Sequence, residues 1–320
     1  MGWDWHVGVF CHNEAARIAA CLDSIANAAS GKAVITTIVC NGTTDGSAEV
    51  ARQAAERAGL AYTIVGIAHG DKSNAINQFI YALDRPARFV CCVDAFVRVG
   101  PRTLQAFEDA YARYPAALIL SSLALSGRTE PERTRRILES GGETTGQLYA
   151  PRTGFLERIR RAGFRLPVDL YRGDGLLGGM AAHDLDPVAN AWDNGRVVGV
   201  EDATYAFDPL TLSPADLRRQ IHRRVRQMRG RLENAGIRSM LANGGFGALP
   251  PQADGIIAWL LETSGVPPTA WLDRPFMALA IRRSRRHRPV DAARLIAHKI
   301  AEGGPPPARG AGGASQLAPG

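Results

Sequence analysis

The apolar run Val90-Cys91-Cys92-Val93 ends on a carboxylate, Asp94, and a helix can begin soon after at Pro101. A buried strand that delivers an acid to the carboxyl edge of an open α/β sheet has this form, and ligands bind at that edge. An acid there can meet a hydroxyl, hold a hard cation or cap the next turn. Glu14 follows Val7–Phe10 in the same way, with a helix-start acid as the plainer reading. Asn41 closes the run Val34–Cys40 and opens a polar turn to Gly46; in it, Asp45 either meets a ligand or caps the next helix. Lys72 precedes a helix start, where an ammonium beside free N–H groups suits a diphosphate. Asp174 sits in Arg172-Gly173-Asp174-Gly175 as a candidate proton acceptor or a helix cap, with Asp169 as a nearby competitor. Gln220 and Arg223 lie three apart on nearly one helical face, and Arg224 follows them.

The elements needed to position these residues alternate in the first half of the chain. Val7–Phe10, Val34–Cys40, Tyr62–Ile67 and Phe89–Val93 read as strands. Between them Ile18, Cys21, Leu22 and Ile25, and later Ile76, Phe79, Ile80 and Leu83, recur at helical spacing. Such alternation predicts a mostly parallel sheet flanked by helices, an α/β fold. Beyond about residue 121 the pattern loosens: a basic helix over Arg128–Leu138, a short strand at Gln147–Ala150, a helix over Phe155–Ala162, a glycine-rich helical or loop segment from Asp174 and a strand over Arg196–Ala206. Leu217, Ile221, Val225 and Met228 share one face of a strong amphipathic helix. Residues 255–300 read as two or three more helices, and from Gly303 the Gly/Pro/Ala tail has little to bury. The expected division is 1–232 for the α/β domain, 233–302 for a helical C-terminal extension and 303–320 for a disordered tail.

Charge and composition narrow the partners. The 320 residues carry a net charge of +7, almost all of it from arginine, which suits anionic ligands or surfaces. The basic run Arg282–Arg288 lacks aromatic interleaving or zinc spacing, so specific nucleic-acid binding is not expected. The five cysteines show no CxxC spacing and read as buried thiols of a cytoplasmic protein. No charged-then-apolar leader and no apolar run of about 18 residues is present, so neither a signal peptide nor a membrane span is expected.

Taken in order, these motifs resemble glycosyltransferase family 2, whose members have the GT-A fold; the resemblance covers residues 5–230. Val7 to Glu14 is similar to the family's strand ending in an Asn-Glu turn, and Asn41 to Gly46 to its D-G-S-T-D-G turn. Gly70 to Asn77 is similar to G-K-S-x-A-L-N, with Asp71 inserted before Lys72. Asp94-Ala95-Phe96 looks like the DxD signature with Phe96 in place of the second acid. Gly173-Asp174 stands where the family has E-D or D-D, and Gln220 to Arg224 where it has Q-x-x-R-W. The resemblance implies an inverting transfer of a sugar from a UDP- or GDP-sugar to an acceptor hydroxyl, in polysaccharide, glycolipid or natural-product glycosylation. It implies Asp174 as base and Arg223 at the leaving diphosphate. Glu14, Asn41, Asp45, Lys72, Asp94, Gln220 and Arg224 would bind the donor. A divalent cation, Mg2+ or Mn2+, would have Asp94 as its protein ligand, because Phe96 offers no oxygen, or else basic side chains would replace the cation. Lipid-linked acceptors in the family, with the basic helices here, imply a cytoplasmic protein able to contact the inner membrane surface. Phe96 and Gly173 motivate an alternative, a non-catalytic nucleotide-sugar-binding relative or partner subunit. A nucleotidyltransferase on the same fold would carry a glycine- and Arg/Lys-rich loop after the first strand, which this chain lacks.

Overall fold

The computed structural model describes residues 2–83, 85–127, 129–208 and 214–306, without the side chains of residues 214–223. Gln220 and Arg223 therefore lie outside the described side chains.

Four strands, β1 (Trp3–Cys11), β2 (Val34–Asn41), β3 (Ala61–Ile67) and β4 (Ala87–Asp94), alternate with α1 (Ile18–Ala28), α2 (Ser47–Arg57) and α3 (Lys72–Tyr81). They pair in parallel in the order β4-β1-β2-β3. Their sequences are nearly continuous apolar runs because both faces are covered. Side chains alternate between two cores. Val7, Val9, Cys11, Ile38 and Val93 face one core with α1 and α2, and Phe10, Val39, Val65 and Cys92 face the other with α3.

The chain then forms β5 (Arg98–Val99), α4 (Thr103–Arg113), β6 (Ile119–Ala124), α5 (Glu130–Ser140), β7 (Leu148–Pro151), α6 (Thr153–Ala162), α7 (Gly173–Ala182) and β8 (Val197–Ala206). Strand β7 runs antiparallel to β4 and continues the sheet beyond the last parallel strand. Its loop therefore reaches the carboxyl end of β4. The predicted sheet flanked by helices is present, parallel through β1–β4 and mixed as a whole.

Helix α8 (Pro214–Gly244) runs across residue 232. With α9 (Ala253–Thr263) and α10 (Arg274–Arg286) it encloses a third core of Val225, Met228, Leu232, Ile257, Leu260 and Met277. The extension does not end in helix. Strand β9 (His298–Gly303) adds antiparallel to β3 and covers that sheet edge. Its side chains are mostly exposed, so backbone pairing holds it and no apolar period announces it. No helix among the described residues is long and apolar enough to cross a membrane.

Candidate active site

Parallel pairing puts the ends of β1, β2 and β4 at one sheet edge, with Phe10 beside Asp94 and Cys11 beside Cys40. Asp94 is the last residue of β4 and is fixed by its backbone N–H donating to Gln147 O at 2.9 Å. Lys72 opens α3, whose N-cap is Asp71: the Asp71 carboxylate accepts from the N–H groups of Ser73 (3.0 Å) and Asn74 (2.9 Å). The inserted acid is thus a helix cap. It also accepts from Asp169 N at 2.9 Å, which ties the loop before α7 to the start of α3. Ser73 Oγ donates to Leu170 O (2.8 Å) and Asn77 Nδ2 to Leu166 O (2.8 Å), tightening the same seam. Asp174, in the first turn of α7, is carried into place by that loop.

These constraints bring three predicted residues together. Lys72 Nζ lies 2.6 Å from Asp94 Oδ1 and 3.4 Å from Asp174 Oδ2, and it donates to Gly146 O at 2.8 Å. Burial by itself would lower the Lys72 pKa; the two facing carboxylates outweigh it and hold the ammonium above its usual range. Burial pushes Asp94 up to about 6 against the pull of Lys72. Asp174 Oδ1 also accepts from Gly175 N at 2.8 Å, which orients the carboxylate at the start of α7.

Gly146 is a site residue that motif reading passed over. Its φ is +76°, and a Cβ there would fall far inside contact distance of Asp174 Oδ2. The signal was present as a glycine just before a predicted strand. Gly173, where the resemblance led one to expect an acid, is set by packing: a Cβ there would overlap Ser73.

The remaining predicted donor residues stand nearby on the β1 and β2 ends or elsewhere. Glu14 pairs with Arg17 at 2.5 Å, and burial raises its pKa. Arg17, which sequence reading missed, also lies over the Phe96 ring at 5.5 Å. Asn41 is buried, and its amide donates to Cys11 O at 2.9 Å, joining the two strand ends. Asp45 accepts from Ala15 N (3.1 Å) and from Ser47 N and Oγ, so it fastens the start of α2 to the β1 loop. Arg224 turns to the helical extension, where its guanidinium meets Asp273 at 2.9 Å.

The set does not fit a divalent cation. Phe96 packs edge-on to Phe207 at 5.9 Å and offers no oxygen. An ammonium already sits against Asp94. Among the described residues no group of three His, Cys, Asp or Glu side chains is placed to hold a metal ion.

The sequence profile of glycosyl transferase family 2 matches residues 6–169, half of the chain. The chain belongs to this family. It is a glycosyltransferase, and the matched span contains Glu14, Asn41, Lys72 and Asp94 but stops short of Asp174. Among solved structures it is similar to the mannosyltransferase PcManGT from Pyrobaculum calidifontis, in complex with GDP-Man and Mn2+. Identity is 19%, covering 92% of this chain and 79% of that one, with a TM-score of 0.56. It is also similar to TarS 1-349 of S. aureus in complex with UDP-GlcNAc, at 15% identity, 88% and 80% coverage and a TM-score of 0.51. At these identities the likeness is one of fold. Among curated proteins none matches the chain.

Proposed function

We propose that this glycosyltransferase moves a sugar from a nucleoside-diphosphate sugar, with a UDP or GDP leaving group, to an acceptor hydroxyl with inversion. The observation that carries the reading is the Lys72 ammonium set between Asp94 and Asp174 at the carboxyl edge of β4. The 3.4 Å contact to Asp174 is the longest of the three that Lys72 makes. A phosphate oxygen replaces that contact, which frees Asp174 Oδ2 for the acceptor. Asp174 then takes the acceptor O–H proton, and the oxygen bonds to the anomeric carbon from the face opposite the leaving group. The bond from that carbon to the diphosphate oxygen breaks, and its electron pair leaves with the nucleotide, where Lys72 offsets the charge. Asp94 holds Lys72 and a donor hydroxyl. Glu14, Asn41 and Asp45 border the nucleotide end; Gln220 and Arg223 keep their diphosphate assignment from sequence. The positive charge needed at the diphosphate comes from side chains in place of a metal ion. The neighbours solved with GDP-Man and UDP-GlcNAc support a sugar nucleotide as donor.

Exposed Trp271 and Leu272 before α10, with the arginines at its far end, support contact with an anionic membrane surface and hence a lipid-linked acceptor.

The test is calorimetric titration with UDP, GDP and their sugars in EDTA, together with turnover of wild type and Asp174→Asn. Donor binding in EDTA, retained by the variant, with turnover lost by at least about 100-fold is expected. An active Asn variant would remove Asp174 as base. Binding that needs Mn2+ would return the charge to a metal. Binding with neither transfer nor donor hydrolysis in wild type would favour the non-catalytic alternative.

A further inference from the structure

The helical extension meets the α/β layer around a cavity of about 350 Å3. Three arginines line it, Arg226 and Arg229 from α8 and Arg283 from α10, against the single carboxylate of Asp169. Arg229 is committed to Glu233 (2.7 Å) and Asp254 (3.2 Å). Arg226 and Arg283 are exposed and enter no ion pair among the described residues. They present unpaired guanidinium groups of the kind that bind phosphate oxygens in pairs.

Beneath them Asp169 Oδ2 and His287 Nε2 face each other at the ion-pair distance of 3.5 Å, and neither buried atom makes a hydrogen bond. Asp169 is held at φ +62°, and its other oxygen is occupied by His69 Nε2 at 2.7 Å. A buried acceptor without an aligned donor is rare in a folded protein, and a ligand hydroxyl that displaces the His287 ring from it would supply one. The cavity thus offers cations at its mouth and an acceptor inside. Asp169, in the loop before α7, precedes the proposed base Asp174 in its first turn by five residues, so their Cα atoms are within about 17 Å, the reach of that much extended chain.

We propose that this cavity is an anion subsite for the acceptor: it takes a phosphate ester that also carries hydroxyl groups. The phosphate sits between Arg226 and Arg283 with His287 beside it, and a hydroxyl donates to Asp169 Oδ2. The assignment to the acceptor rests on the reading of Asp174 as the base. The same chemistry is offered by a free polyol phosphate and by a phospholipid headgroup.

The test titrates the full chain with glycerol 3-phosphate and with glycerol, and sediments it with phosphatidylcholine vesicles with and without phosphatidylglycerol. Wild type is compared with R226Q/R283Q and with R282Q/R285Q, which removes equal charge from the side of α10 that lines a different cavity. Glycerol 3-phosphate is expected to bind where glycerol does not, at least about tenfold more weakly in R226Q/R283Q and unchanged in R282Q/R285Q. Vesicle binding alone, lost further in R226Q/R283Q than in R282Q/R285Q, whose own loss reports the membrane contact of α10, would support the subsite and make the headgroup its source. Binding of neither probe, or equal loss in the two double variants, would overturn the subsite. UDP and GDP titrated in parallel keep the two readings apart: their failure to bind would sink the donor reading while the phosphate result stood on its own.

Discussion

Burial and pairing act in opposite directions at Asp94. Its carboxyl is mostly buried and is pushed from an ordinary 3.8 up to about 6, which separates its two protonation states by about 3 kcal/mol. The folded state therefore keeps a proton that the unfolded chain has lost between those two values. The stability this group contributes is fully present below about pH 4 and is lost as pH rises through about 6. Wild type is expected to lose about 3 kcal/mol more than Asp94→Asn across that window, measured by urea unfolding at several pH values. Parallel profiles would show that Asp94 ionises normally. Donor binding has the reverse dependence, because Asp94 must be charged to hold Lys72. It is expected to weaken as pH falls through 6, two units earlier than an ordinary carboxylate would cause. The strand-end position of Asp94 was legible because an apolar run stops on it. Its partner was not, since nothing local to residue 72 or residue 174 points at the other.

The turn before β7 and the cap of α3 set the active-site spacing. Gly146 gives Lys72 its carbonyl and leaves room for the Asp174 carboxylate. Gly146→Ala would add strain of about 1–2 kcal/mol from the left-handed backbone and would displace Asp174. Turnover is expected to fall at least about tenfold with UDP or GDP affinity changed far less, read from steady-state kinetics beside calorimetry. Unchanged turnover would show that Asp174 tolerates the shift. Helix α3 itself was visible in Ile76, Phe79 and Ile80, which pack into the core. Asp71 read as an insertion within a motif, whereas its capping bonds show it is what starts the helix. Gly173 read as a lost acid because a sequence does not display Ser73 packed against it.

At the scale of the whole molecule, the last described segment reaches back to the donor edge. Asn74 Nδ2 donates to Leu295 O at 2.8 Å and His69 N to Arg294 O at 3.0 Å, so the segment entering β9 braces the loop that carries Lys72. β9 then covers the edge of β3, which would otherwise present unpaired backbone groups. A chain ending at Pro289 is expected to melt at lower temperature, self-associate and bind UDP or GDP more weakly, measured by thermal unfolding, light scattering and calorimetry. Wild-type nucleotide affinity in that truncation would show that the brace does not support Lys72.

The sequence by itself determined the four parallel strands, since strands buried on both faces must be written as apolar runs, and it placed Glu14, Asn41 and Asp94 at their carboxyl ends. It also determined the amphipathic face of α8, through residues that do pack its core, Val225 and Met228. Only the tertiary structure decided that Lys72 stands between Asp94 and Asp174, with 102 residues separating Lys72 from Asp174 in the chain. It alone turned Arg224 away to Asp273 and laid β9 along β3. Local propensity and periodicity report what a residue does to its neighbours in the chain. Convergence of charges from distant loops, and strand pairing made by backbone groups, depend on packing that leaves no local pattern.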